Sequence, residues 1–190
     1  TLTASTYTLS GGTLTANLGS GTATASTGTT SLNGTLGASL TVNGGTVNLG
    51  SDDRIGDSST VAISSGTLGI STFSDTVSTF TISSTGTLDG STGVLTAGSY
   101  ALEGGTINAG LGTGAITVTT ATTTLGSANR LNSASTLTIN SGQLSLGGAE
   151  TVASLAGSGG TLALDGNTIS VGGGDTSTSF AGAITGTGGG

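Results

Sequence analysis

Residues 39–49 read Ser-Leu-Thr-Val-Asn-Gly-Gly-Thr-Val-Asn-Leu, with apolar side chains at 40, 42, 47 and 49. Leu40 and Val42 are two apart, as are Val47 and Leu49, which is the period of a strand with one buried face. The step of five from Val42 to Val47 is odd, so in a straight strand it would turn the second pair to the opposite face. A corner at Asn43-Gly44-Gly45-Thr46 keeps both pairs pointing inward.

The same pattern, two apolar pairs around a four-residue corner, recurs along the chain. It appears at Tyr7, Leu9, Leu14 and Ala16, then at Val61, Ile63, Leu68 and Ile70, and again at Tyr100, Leu102, Ile107 and Ala109. Two later copies are Leu137, Ile139, Leu144 and Leu146, and Leu162, Leu164, Ile169 and Val171. Phe80, Ile82 and Leu88 repeat it with one extra corner residue. The third corner position is Gly12, Gly45, Gly66, Gly105 or Gly142, and Asn167 in the last copy. Gly lacks a Cβ and Asn tolerates the left-handed region, so a left-handed residue is expected at each of these positions.

Corner positions 45, 66, 86 and 105 lie 21, 20 and 19 residues apart. The longer intervals on either side each hide a weaker unit, Ala23, Ala25 and Leu32 in the first and Ile116, Val118 and Leu125 in the second. A period of 19–21 residues without a helical pattern predicts an all-β fold, a solenoid of stacked coils with backbone ladders along its axis. Nine or ten coils at about 4.8 Å each make a rod on the order of 45 Å long. Leu9, Val42, Ile63, Leu102, Ile139 and Leu164 are expected to stack inside it.

A longer repeat overlies the short one. Residues 1–25 match 94–118 at an offset of 93, pairing Tyr7 with Tyr100, and 51–74 match 127–150 at an offset of 76, pairing Arg54 with Arg130. Residues 1–190 therefore read as one solenoid domain with an internal duplication, 1–93 and 94–171. The offsets differ by about one coil, and loss of a coil leaves a solenoid intact because each coil touches only its neighbours.

Composition narrows the chemistry. Of 190 residues, 107 are Gly, Ser or Thr, and His, Cys, Met, Trp and Pro are absent. No ordinary zinc site, Cys or His nucleophile or Ser-His-Asp triad can be assembled, and no cofactor motif is present. A net charge of −7 with no Lys offers no basic patch for phosphates, so nucleic acid is not expected as a partner. No run of 18 apolar residues predicts membrane insertion. Polysaccharide-cleaving chemistry would need basic or aromatic side chains to hold sugar; we expect no enzyme here.

The Gly-Gly-Thr-aliphatic corners at 11–14, 44–47, 104–107 and 159–162, together with the stretch 151–190, resemble the autotransporter-associated β-strand repeats of bacterial autotransporter passenger domains. That resemblance implies a single-stranded, right-handed parallel β-helix, secreted through the outer membrane and displayed as a stalk, adhesin or matrix component. A host or matrix surface is the partner it suggests. Neither end of the chain reads as a cap, so the segment is expected to continue into further coils or to self-associate by end-to-end stacking.

Few side chains are candidates for a site. Asp52, Asp53 and Asp57 are weak calcium candidates. In the duplicate they become Ala128, Asn129 and Ser133 while Arg130 is kept, which favours a solvated loop. Arg54 and Arg130 read as structural clamps whose guanidinium donors satisfy carbonyls where a loop leaves the coil, with a ligand contact as the alternative. Gly172-Gly173-Gly174-Asp175 is a lone, mis-spaced match to a calcium-binding nonapeptide repeat, and Asn33-Gly34-Thr35 a chance-level glycosylation match. Thr-x-Thr runs at 13–15, 22–24, 79–81, 117–119, 122–124 and 136–138 would suit ice binding if they lined one flat wall, but their spacing along the chain is irregular. A regular outward Thr array would favour an ice binder, and an interrupted wall with a loop protruding near 52–57 an adhesin. The reading that composition and spacing support best is structural, a rigid spacer or polymer unit; the resemblance implies that it is part of a secreted bacterial surface or fibre protein.

Overall fold

Thr and Leu are the commonest residues of the strand segments, and the β-branched Thr, Val and Ile fit a pleated surface with alternate side chains buried. In the computed structural model, which describes residues 1–186, each coil begins with such a segment, turns a corner, and continues into a second. A shorter third side closes the coil. The coils stack by parallel pairing into a β-solenoid of about nine turns, with about 19 residues per coil and no helix among the described residues.

The first wall starts at Thr6–Leu9, Thr22–Ala25 and Ser39–Val42 and ends at Ser154–Ala156. On its inner face Tyr7, Ala23, Leu40, Val61 and Phe80 stack in register, followed by Tyr100, Ile116, Leu137 and Leu155. A second inner column runs Leu9, Ala25, Val42, Ile63, Ile82 and Leu102 to Val118 and Ile139. Phe80 meets Tyr100 edge-on, with ring centroids 6.3 Å apart. The second wall runs from Gly12–Leu14 through Thr46–Leu49 and Gln143–Leu146 to Ala183–Thr185. The third side is an inner row of Leu2, Leu18, Leu36 and Ile55, joined by single bridges, continued by Leu95 and Leu111. Buried aliphatics from all three sides form one core along the axis.

Register steps vary from 16 residues (Thr6 to Thr22) to 23 (Gly157 to Phe180), a wider range than the 19–21 expected. The short coils are the hidden units, and Ala23, Ala25, Leu32, Ile116, Val118 and Leu125 are all buried. The inner walls keep their register while the connecting loops absorb the difference.

The corners need correction. Gly12, Gly105 and Gly142 have φ of 91°, 80° and 68°, in the left-handed region as expected. Gly45, Gly66 and Asn167 are not left-handed. At Gly45 the reason for glycine is contact: a Cβ would lie 2.8 Å from Thr27 O and 3.0 Å from Thr27 N in the coil below. At Gly66 it would be 2.6 Å from Val42 Cγ1. In the lengthened copy the left-handed residue is Ser84 (φ 53°), and the extra residue appears as a register shift against the next coil at Gly104/Thr106.

The last copy is out of phase with the others. Thr161–Ala163 lies on the second wall, and Ile169–Val171 pairs with Glu150–Val152 on the third side. Asn167 is therefore not a corner between first and second walls; the left-handed residues there are Asp165 and Gly166, and Asn167 Nδ2 caps Leu146 O at 2.8 Å. The true corner of that coil is Gly159-Gly160, with Gly160 at φ 73°. Leu164 and Ile169 are only half-buried and Val171 is exposed, so Leu164 does not join the inner stack; at the opposite end Ala16 is exposed. Residues 187–190, the end of the Gly-rich run in the 151–190 stretch, lie outside the described residues.

Candidate functional site

The most regular chemical feature comes from a ladder problem on the third side. Leu36 N donates to Arg54 O of the next coil at 2.7 Å, but Arg54 N and Ile55 N need acceptors in the coil after that. Asp75 supplies them. Its Oδ2 accepts from Arg54 N at 2.8 Å and Ile55 N at 2.9 Å. In the duplicate, Glu150 Oε1 accepts from Arg130 N and Oε2 from Leu131 N, both at 2.9 Å. Both acids are 2% exposed, taking places in an inner row otherwise made of aliphatics.

The arginine side chains work in the opposite axial direction. Arg54 Nε donates to Asp52 O at 3.0 Å and Nη1 to Asn33 O of the coil before at 2.9 Å. Arg130 repeats both contacts, Nε to Ala128 O at 3.1 Å and Nη1 to Asn108 O. Each arginine and its acid together tie three successive coils. The two tyrosines are duplicated at the same level of detail. Ala4 N donates to Tyr7 Oη (2.9 Å), which donates to Leu2 O (3.0 Å); Ala97 N donates to Tyr100 Oη (2.8 Å), which donates to Leu95 O (3.0 Å).

Burial sets the ionisation of these groups. It raises Asp75 to about 6, against lowering by the amides of Ile55, Arg54 and Thr76, and Asp53 adds a smaller upward push. Asp75 Oδ1 is buried without a partner. Glu150 moves upward for the same main reason, opposed by the Leu131 and Arg130 amides and by the Arg130 charge. Burial also pushes the Tyr100 phenol up to about 12.

The acidic loop resolves into separate backbone roles. Asp52 Oδ1 accepts from Ser74 N at 2.7 Å, Asp53 has φ 53°, and Asp57 is exposed. Asn129, the counterpart of Asp53, has φ 56°, and the two residues donate in the same way, to Ser74 O and Ala149 O. Both side-chain types tolerate this conformation. Among the described residues no three acids converge as a metal-binding group. Asp175 has φ 47° in the loop after Val171. A surface depression of about 340 Å³ lies along Asn48, Gly69, Ser71 and Asp89, where Asp89 Oδ1 accepts from Asn108 Nδ2 at 3.2 Å.

The outer face of the first wall shows what irregular sequence spacing concealed. One column runs Thr6, Thr22, Ser39, Thr60, Thr79 and Ser99, then Ala115, Thr136 and Ser154. Beside it runs a second, two residues on: Thr8, Thr24, Thr41, Ala62, Thr81 and Ala101, then Thr117, Thr138 and Ala156. The runs at 22–24, 79–81 and 136–138 lie in these same two columns, with two coils between one run and the next. Thr13 and Thr124 belong to the second wall, and Thr123 is buried.

Sequence reasoning did not find Asp75, Glu150 or these columns. The signal for the acids was the pair Asp75-Thr76-Val77 and Glu150-Thr151-Val152, each with a carboxylate in the inward phase of a strand. Comparison of the chain with protein-family models, with curated proteins and with solved structures finds no match.

Proposed function

We propose that this chain is a rigid structural segment of a secreted bacterial surface or fibre protein, a spacer whose length is set by its number of coils. The observation that carries this reading is the single hydrogen-bonded stack: among the described residues the walls run from coil to coil on one continuous core. A passenger-domain role of the autotransporter kind rests on the resemblance of the Gly-Gly-Thr corners. Exposed Leu2 at one end, and Val171 and Ile184 at the other, favour stacking against further coils or a second copy.

The direct test is surface labelling of intact bacteria that express the parent protein, using an antibody raised against this segment. Labelling of unbroken cells or recovery from the medium is expected. Signal obtained only after lysis overturns the surface reading. For stacking, electron microscopy of the isolated segment should show rods longer than a single chain; monodisperse short monomers exclude self-association.

A further inference from the structure

We infer that the outer face of the first wall is a binding face for ice. Four observations point the same way. First, the face is a two-dimensional array. Parallel pairing fixes the repeat along the axis at about 4.8 Å, and the two columns are two residues apart in one strand, about 6.6 Å. Those are close to repeat distances between oxygen rows on faces of hexagonal ice. Second, each of its eighteen positions is Thr, Ser or Ala, and all except Ser154, which is buried, are open to solvent, so the wall holds hydroxyls and methyls of nearly uniform height.

Third, the eleven threonine hydroxyls have no protein partner among the described residues; Ser39 Oγ, by contrast, accepts from Thr60 N at 3.3 Å. These hydroxyls are left to water, and Thr is stiff about χ1, so ordering them against a lattice costs little entropy. Fourth, charge is excluded. Asp52, Asp53, Arg54, Asp57, Asp75, Arg130 and Glu150 belong to the third side and its loops, Asp89 and Glu103 to the second wall and its corner, and Asp165 and Asp175 to the final loops. An ionic partner would be recognised elsewhere. A sugar polymer would be gripped by aromatic rings, and both tyrosines and Phe80 point inward.

The second wall shows why the array is not a by-product of strand propensity. It also has a Thr column, through Thr29, Thr46, Thr67, Thr87, Thr106 and Thr124. Its neighbouring column is Ser31, Asn48, Gly69 and Asp89, uneven in height and carrying charge. Only the first wall is regular in both directions. This inference does not depend on the spacer reading, since a solenoid can present such a face whatever it is attached to.

The test is ice-affinity partitioning of the labelled protein during slow freezing, together with thermal hysteresis. Thr81→Tyr places a ring in the middle of the first wall; Thr87→Tyr places the same ring on the second wall one corner later. Circular dichroism checks that both variants keep the strand signal. Wild type and Thr87→Tyr are expected to be taken into the ice, and Thr81→Tyr to fall to the level of an inert globular protein. Exclusion of the wild type from ice overturns the proposal, as does equal loss in both variants. Retention of the wild type on crystalline cellulose or chitin without entry into ice would assign the face to a polysaccharide instead.

Discussion

At the scale of a residue, the buried carboxylates are where the fold is most sensitive to its surroundings. The folded chain holds the Asp75 proton up to about pH 6, whereas an exposed aspartate releases it near 3.8. Between those values the folded state binds more protons than the unfolded state, so stability falls as pH rises through this window and levels off above it. The size is about 3 kcal/mol, and Glu150 acts in the same direction. Urea midpoints measured from pH 4 to 8 should therefore decrease across the window. Asp75→Asn keeps an oxygen for the two amides without a titrating group and should flatten the profile; a wild-type midpoint that is constant with pH contradicts the assignment. Asp75→Ala instead strands the N–H groups of Arg54 and Ile55 and should cost about 2–5 kcal/mol at the acid end of the window and less above it. The duplicated tyrosines give an internal comparison. Tyr100→Phe removes a buried acceptor for Ala97 N and a buried donor to Leu95 O, so it should cost about 1–3 kcal/mol, while Tyr7→Phe, in the partly open first coil, should cost less when melted alongside it.

At the scale of strands and corners, one residue type serves two purposes. Gly12 has φ 91° and open space around its Cβ direction, so Gly12→Ala should cost about 1–2 kcal/mol through backbone conformation alone. Gly66 has an ordinary φ, but its added Cβ would press on Val42 Cγ1 and the backbone of Gly44 and Gly45; Gly66→Ala should cost about 1–3 kcal/mol through overpacking. The mechanisms separate in a double mutant: Val42→Ala should relieve part of the Gly66→Ala penalty and none of the Gly12→Ala penalty, and equal coupling in denaturation cycles would refute the distinction. This dual use limits what the corners reveal beforehand. The strands were legible because burial with period two writes Leu40, Val42, Val47 and Leu49 directly into the chain. A glycine between them marks a corner without saying whether backbone angle or neighbouring coil demanded it. Asp75 stayed hidden because an acid in the inward phase of a strand looks like an interruption until the unpaired amides one coil away are seen. The Thr columns were illegible for another reason: Thr22, Thr79 and Thr136 come into line only when coils of different length are folded.

At the scale of the whole molecule, stability is a sum of coils and the contacts between adjacent coils, so integrity depends on register more than on length. The register itself says how to shorten the chain without harm. Thr79 pairs with Ser99, Phe80 with Tyr100 and Ile82 with Leu102, and Thr60, Val61 and Ile63 lie on the other side of the same positions. Deleting residues 79–98 therefore brings Ser99 over Thr60, Tyr100 over Val61 and Leu102 over Ile63, with each inward side chain still inward. Asp75 remains, and its amide partners in the preceding coil are untouched. The chain should stay folded, melt cooperatively and lose about 4.8 Å of length by small-angle scattering. Deleting 79–88 removes half as many residues but joins Ser78 to Asp89, placing a second-wall segment where a first-wall strand should begin. Phe80 and Ile82 leave the core and no in-register partner replaces them. This shorter deletion should be the more damaging, with loss of the cooperative transition. If the two deletions destabilise equally, or the half-coil deletion is the milder, then chain length rather than coil register governs the stack, and the coil-counting logic of a rigid spacer fails with it.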